Sequence, residues 1–160
     1  MSILIPVVST GITLNEVPGK VAFYAEIGEC TARCPGCHSE HLWCPVVNKM
    51  TLATLLAKTI RAKDQGADAV VLMGGTTNGI SEETLQTIIN ALSGVLPVCL
   101  YSGRDDTLLD TKLLLEFKLT WLKTGSYKHA LGGLQSTTTN QRFYEKVGKT
   151  VVDKTRYFLC

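Results

Sequence analysis

Residues 69–103, AVVLMGGTTNGISEETLQTIINALSGVLPVCLYSG, carry a strand, a helix and a second strand in close succession. AVVLM (69–73) is a short continuous apolar run, as expected of a strand buried on both faces of a parallel sheet. It ends in Gly74-Gly75. Ser81 then caps SEETLQTIINALSGVL, with Glu82 and Glu83 in the first turn, where they oppose the helix dipole. Residues 98–101 read as the next strand, followed at once by Ser102-Gly103.

The same alternation extends both ways. Upstream, VAFYAEI (21–27) reads as a strand, half alternating and half apolar, and feeds into a cysteine-rich loop. Thr51 is the expected N-cap of TLATLLAKTIRAKDQG, whose Leu52, Leu55, Leu56 and Ile60 share one helical face, and Gly66 ends that helix as a C′ residue. Downstream, residues 108–117 read as a helix and 120–123 as a strand. Residues 126–142, rich in Gly, Ser and Thr, read as a loop, and 149–159 as a final strand pair. Strands and helices at these spacings imply βαβ units, an α/β class and a mostly parallel sheet. So few units favour a partial, open βα barrel over a full eightfold one. Ligands gather at the carboxyl ends of strands in such sheets. The cysteine loop, Gly74-Gly75 and Ser102-Gly103 each follow a strand, so all three are expected at one edge.

Composition bounds the rest. At 160 residues the chain is expected to form one domain, 1–160, and 45% hydrophobic residues suffice for a real core. Sixteen basic against 14 acidic residues leave a net charge of +2 and no basic stripe to bind nucleic acid. The longest charged cluster, Arg104-Asp105-Asp106, is mixed in sign and reads as a solvated loop. The opening MSILIPVV has no basic n-region and is broken by Pro6, and the run at 69–73 is far too short to span a bilayer. A soluble, cytoplasmic protein without membrane contact is the expectation. In that reducing compartment, cysteines are more often ligands or nucleophiles than disulfide partners.

Six cysteines are present, and three of them form Cys30-Thr-Ala-Arg-Cys34-Pro-Gly-Cys37. Thiolates at these spacings wrap one metal centre, and Pro35-Gly36 suit a tight turn between the last two. Iron–sulfur clusters are normally held by four cysteine thiolates; three would leave one iron open to substrate. Spacing favours iron–sulfur but also admits a closed zinc site completed by His38, His41 or Cys44.

The cysteine motif at the end of the first strand resembles the radical S-adenosylmethionine signature. The segment from Glu16 to Cys30, with Pro18-Gly19, is similar to the opening of the activating proteins of anaerobic ribonucleoside-triphosphate reductase. Cys34-Pro-Gly-Cys37 matches that family's C-x-G-C, and Trp43 stands where it has a tryptophan six residues past the third cysteine. Gly74-Gly75 resembles its glycine pair, Tyr101-Ser-Gly103 its aromatic-Thr-Gly, and Thr139-Asn140-Gln141-Arg142 its late Ser-x-Asn-Gln-Arg segment. The likeness runs from Glu16 to Arg142. This chain departs from the pattern at His38, where tyrosine is usual, and at Thr124-Gly125, where Asp-Gly is usual. It departs again at Thr76-Thr77-Asn78, where an acidic residue and proline are usual.

The resemblance implies a radical-SAM-like domain with a [4Fe–4S] cluster on Cys30, Cys34 and Cys37, and S-adenosylmethionine bound against Gly74, Gly75, Thr76 and Ser102. It implies no catalytic residue beyond the cluster ligands. One electron cleaves the sulfonium, and the 5′-deoxyadenosyl radical so released takes hydrogen from a glycine of the partner reductase. A flavodoxin is the reductant the family implies. A radical enzyme acting on a small molecule, as in deazaguanine biosynthesis, and a non-enzymatic zinc module are the competing readings. Each of these residues also has a plainer role. Gly74-Gly75 allow a tight turn, Ser102 caps the next helix, His38 and His41 lie at the surface or behind the ligands, and Trp43 packs under the loop. Cys44, Cys99 and Cys160 are structural or incidental.

Overall fold

The computed structural model describes residues 3–32, 34 and 40–159. In chain order the strands are β1 (Leu4–Ile5), β2 (Val7–Thr13), β3 (Ala22–Ile27), β4 (Met50–Thr51), β5 (Ala69–Met73), β6 (Val98–Tyr101), β7 (Trp121–Thr124), β8 (Arg142–Val147) and β9 (Thr150–Asp153). The helices are α1 (Leu52–Asp64), α2 (Glu82–Ser93) and α3 (Thr107–Glu116), with short 3₁₀ turns at Glu40–Trp43 and Thr155–Phe158. The main sheet runs β2-β3-β5-β6-β7-β8-β9. Its centre, β3-β5-β6-β7, is parallel, and β2 on one side and β8-β9 on the other are antiparallel. The fold is mixed α/β with a largely parallel central sheet. β1 and β4 pair with each other apart from it. No helix among the described residues is long and apolar enough to cross a membrane.

Local chemistry accounts for the crossovers. The Thr51 hydroxyl accepts from the Thr54 amide and the Ser81 hydroxyl from the Thr84 amide, each satisfying an orphan donor of a first turn. α1 closes as a Schellman motif, with Gly66 N–H donating to Lys63 O and Ala67 N–H to Ala62 O. Its buried face is Leu55, Thr59 and Ala62, with Leu52 and Leu56 alongside. Ile60, expected on that face, is 47% exposed, because the stripe turns toward Thr59, whose hydroxyl is satisfied by Leu55 O at 2.7 Å.

Strand alternation divides the interior. Phe23, Ala25, Ile27, Val70, Leu72, Val98, Leu100 and Leu122 join the buried apolar residues of all three helices in one cluster. On the opposite face Ala22, Ala69, Val71, Cys99, Trp121 and Phe143 pack with Val17 and Leu134. The helices therefore cover one face, and the other is closed by loops.

Two segments differ from expectation. In place of a strand pair within 149–159, β9 pairs with β8, and a 3₁₀ turn follows. β8 begins inside the segment expected as loop, and of its residues only Phe143 is buried, so it lacks a clear apolar stripe. At the amino end, β2 forms an edge strand whose polar Ser9 and Thr10 mask its pattern.

Candidate functional site

The parallel strands deliver their loops to one edge. β3 ends at Ile27, and Glu29, with φ of 59°, turns the chain out of the sheet into the cysteine loop. The Glu29 carboxylate accepts the Val46 amide at 3.0 Å and lies 3.4 Å from Lys49. That amide first, and Lys49 after it, hold its pKa below the usual carboxylate value. Cys30 N–H donates to Leu42 O at 2.8 Å, which ties the start of the loop to the 3₁₀ turn after it. The Cys30 and Cys34 thiols are free and half-buried. Cys37, with Pro35, Gly36 and His38, lies outside the described residues.

The β5 loop is stitched directly to this segment. Gly74 and Gly75 have φ of 121° and 133°, a region L side chains rarely adopt, so the turn requires glycine at both positions. Gly75 N–H donates to Asn78 Oδ1 at 2.7 Å, while Asn78 Nδ2 donates to Ile27 O at 3.0 Å and Gly28 O at 2.7 Å. Asn78 thus fastens the glycine turn to the end of β3. One residue earlier, Thr77 Oγ1 lies 3.1 Å from Cys30 Sγ. Thr77 O accepts both the amide and the hydroxyl of Thr31, at 2.8 and 2.9 Å.

The β6 loop joins through hydroxyls. Thr76 Oγ1 and Ser102 Oγ are 2.8 Å apart, and Ser102 is fully buried. Ser102 does not cap α3; Asp106 does, accepting from the Leu109 amide at 3.0 Å. Asp105 accepts the Ser126 amide and hydroxyl, both at 2.8 Å, and these bonds hold its carboxyl below its ordinary value. Arg104 Nε reaches the buried Asp110 at 2.6 Å, and Thr124 donates to the same carboxylate at 2.7 Å. Arg104-Asp105-Asp106 is therefore a set of loop fasteners rather than a merely solvated cluster. An open groove of ≈ 590 Å³ runs between Cys34, Thr77, Gly103 and Ser126.

In-register neighbours Glu26, Met73, Tyr101 and Lys123 form one row across the parallel strands at their carboxyl ends. Lys123 is buried, and its ammonium donates to Ser102 O at 2.8 Å and Gly125 O at 3.0 Å. It makes no ion pair among the described residues. Burial lowers its pKa to about 8 against the opposing pull of Cys34, Asp110 and Asp105. Tyr101 donates to Glu16 O at 2.6 Å, and burial raises its phenol far above the ordinary value. At the other end of the row, Glu26 accepts from the Ser9 hydroxyl and meets His41 Nε2 at 3.1 Å.

Thus Cys30 is in contact with the Thr76–Asn78 loop, and Thr76 with Ser102, while the Gly75 amide is committed to Asn78. The late segment approaches too: Gln141 donates to Gly125 O at 3.2 Å and Asn140 Nδ2 to Ser126 O at 3.1 Å. Asn140 Oδ1 is buried with no partner among the described residues. Trp43 is half-buried, Cys44 exposed, and Cys99 buried in the loop-side core, where desolvation raises its thiol pKa. Cys160 lies outside the described residues. Lys123 is the residue sequence inspection overlooks; its signal is a lysine at the end of an otherwise apolar strand. Among the described residues no three His, Cys, Asp or Glu side chains come together as a metal site. The free, half-buried Cys30 and Cys34 thiols, the first beside the Thr77 hydroxyl, have the chemistry an iron–sulfur cluster needs of its ligands. No family model, curated protein or solved structure matches the chain.

Proposed function

We propose that this chain is a cytoplasmic radical S-adenosylmethionine activase that generates a glycyl radical on an anaerobic ribonucleoside-triphosphate reductase. Cys30, Cys34 and Cys37 hold a [4Fe–4S] cluster in this reading. What supports it is the joining of three strand-end loops at the cysteine segment, through Cys30 to Thr77 and Thr76 to Ser102. The sheet, with its helices on one face, is read as an open, partial βα barrel whose strand-end edge takes cofactor and substrate.

When bound, the cluster supplies the low-potential electron for cleavage of the sulfonium of S-adenosylmethionine. The chain's own part is to bind and orient. The Thr76 and Ser102 hydroxyls offer donors and acceptors beside the cysteine loop, and the Gly74-Gly75 turn lets the backbone lie close against Asn78, Ile27 and Leu85, which a Cβ at either position would meet. Asn78 keeps this turn against β3. Lys123 fixes the backbone after β6 and β7 and adds a buried positive charge to the thiolate-bearing edge. The groove beside Cys34 leaves one side open for a loop of the partner. A flavodoxin is the proposed reductant.

The test is anaerobic reconstitution with iron and sulfide, then incubation with dithionite and S-adenosylmethionine. Equimolar methionine and 5′-deoxyadenosine, absent from Cys30→Ala, are expected, followed by a glycyl radical signal on added reductase. Cleavage without that signal would move the reading to a small-molecule substrate. Tightly bound zinc without iron uptake would leave a structural metal module.

A further inference from the structure

We infer that the Thr77 hydroxyl is a built-in hydrogen-bond donor to the Cys30 sulfur, and that it sets how readily the metal centre accepts an electron. The inference rests on the cluster reading above and adds to it a residue at which the chain departs from the resembled family. Thr77 Oγ1 and Cys30 Sγ lie 3.1 Å apart, within hydrogen-bonding reach for sulfur. In a free thiol either atom could donate. A cysteine that ligates metal has lost its proton, so only the threonine hydroxyl can donate and the direction of the bond is fixed.

The surrounding structure holds the donor in place. Thr77 O is bound twice by Thr31, the residue next to Cys30, at 2.8 Å through its amide and 2.9 Å through its hydroxyl. Asn78 anchors the following residue to the Ile27 and Gly28 carbonyls. The two chain segments are therefore joined on both sides of the Sγ contact, and little freedom remains to be lost when the bond forms. Gly103, which also borders the groove, adds no side chain to crowd the hydroxyl: a Cβ there would lie 3.6 Å from Thr77 Oγ1.

Hydrogen bonds to ligating sulfur stabilise the more negative state, so they favour reduction. Adding an electron raises the charge on the thiolates, and a positioned donor strengthens as the acceptor becomes more negative. Removing the hydroxyl should lower the equilibrium constant for one-electron reduction roughly tenfold, which for such a couple is about 59 mV toward more negative potential.

The experiment compares the unmodified chain with Thr77→Val, which keeps volume and β-branching but loses the donor, and Thr77→Ser, which keeps the donor. Each is reconstituted anaerobically, its iron content measured, and its midpoint potential read by spectroelectrochemistry without S-adenosylmethionine. A more negative midpoint in Thr77→Val, with Thr77→Ser near the unmodified chain, is the expected result. Failure of Thr77→Val alone to retain iron also counts for the hydroxyl; should that variant not fold, Thr77→Ala carries the same deletion. Equal midpoints in all three chains, or equal shifts in both variants, would overturn the inference while leaving the cluster reading intact. An unmodified chain that takes up no iron would overturn both.

Discussion

Asn78→Ala removes three hydrogen bonds from a single side chain that is only 4% exposed. The Gly75 amide loses its 2.7 Å acceptor, and the Ile27 and Gly28 carbonyls lose donors at 3.0 and 2.7 Å. A buried polar group left without a partner costs about 1–3 kcal/mol, and a carbonyl with a second lone pair falls at the lower end. The total comes to about 4 kcal/mol, a large share of the roughly 5–15 kcal/mol that holds a domain together. For a chain of this size that corresponds to a fall of roughly 10 °C in melting temperature. Urea unfolding followed by tryptophan fluorescence and circular dichroism reads the difference as a lower midpoint with an unchanged slope. Asn78→Asp provides the control in shape. It keeps an acceptor for Gly75 but sets a carboxylate against two carbonyl oxygens, so it should cost at least as much. A loss below about 1 kcal/mol in Asn78→Ala would refute the assignment of Asn78 as the fastener between β3 and the glycine turn.

Two further substitutions test the electrostatics of the edge. Burial lowers the Lys123 pKa from 10.5 to about 8, so between those values the unfolded chain binds the proton that the folded chain has released. The Lys123 contribution should therefore favour the folded chain increasingly as pH rises across that window, by up to about 3 kcal/mol, against the opposite pull of the buried Cys99 and Tyr101, and Lys123→Met should lack it. Urea midpoints of both chains at about pH 7 and about pH 10 read the difference, and parallel pH profiles would contradict it. Asp110→Asn, which breaks the contacts of a fully buried carboxylate with Arg104 and Thr124, should cost about 3 kcal/mol. Arg104→Met should cost a similar amount by leaving that carboxylate unpaired, and the double variant should lose clearly less than the sum. Strict additivity in the thermodynamic cycle would show that the pair is not coupled.

The parts of the fold legible in the sequence are those where local chemistry and tertiary burial agree. The run at 69–73 is buried on both faces, Thr51 and Ser81 cap the helices they precede, and Gly66 stands at a Schellman C′ position, so pattern and outcome coincide. The antiparallel margins are obscured because strands outside the helix-covered parallel centre need no continuous apolar stripe. β2 alternates around Ser9 and Thr10, and β8 buries only Phe143 while carrying charged residues, so neither stands out from a loop. At the site, the order of strands implied that the cysteine loop, the glycine pair and Ser102 share an edge, and the hydrogen bonds from Cys30 to Thr77 and from Thr76 to Ser102 join them. Residue roles were less legible, because they depend on partners distant in sequence. Ser102 stands ahead of a helix that Asp106 caps, and Lys123 takes its character from burial beneath carbonyls of two different loops. Asn78, read as part of a divergent loop, joins residues some 50 positions apart.

The most direct test of the account is the metal content of the anaerobically reconstituted chain, set beside that of Cys34→Ala. About four irons and four sulfides per chain are expected, with a broad visible absorption that dithionite bleaches and that the variant lacks. Stoichiometric zinc with no iron uptake, or an iron content that Cys34→Ala leaves unchanged, would contradict it.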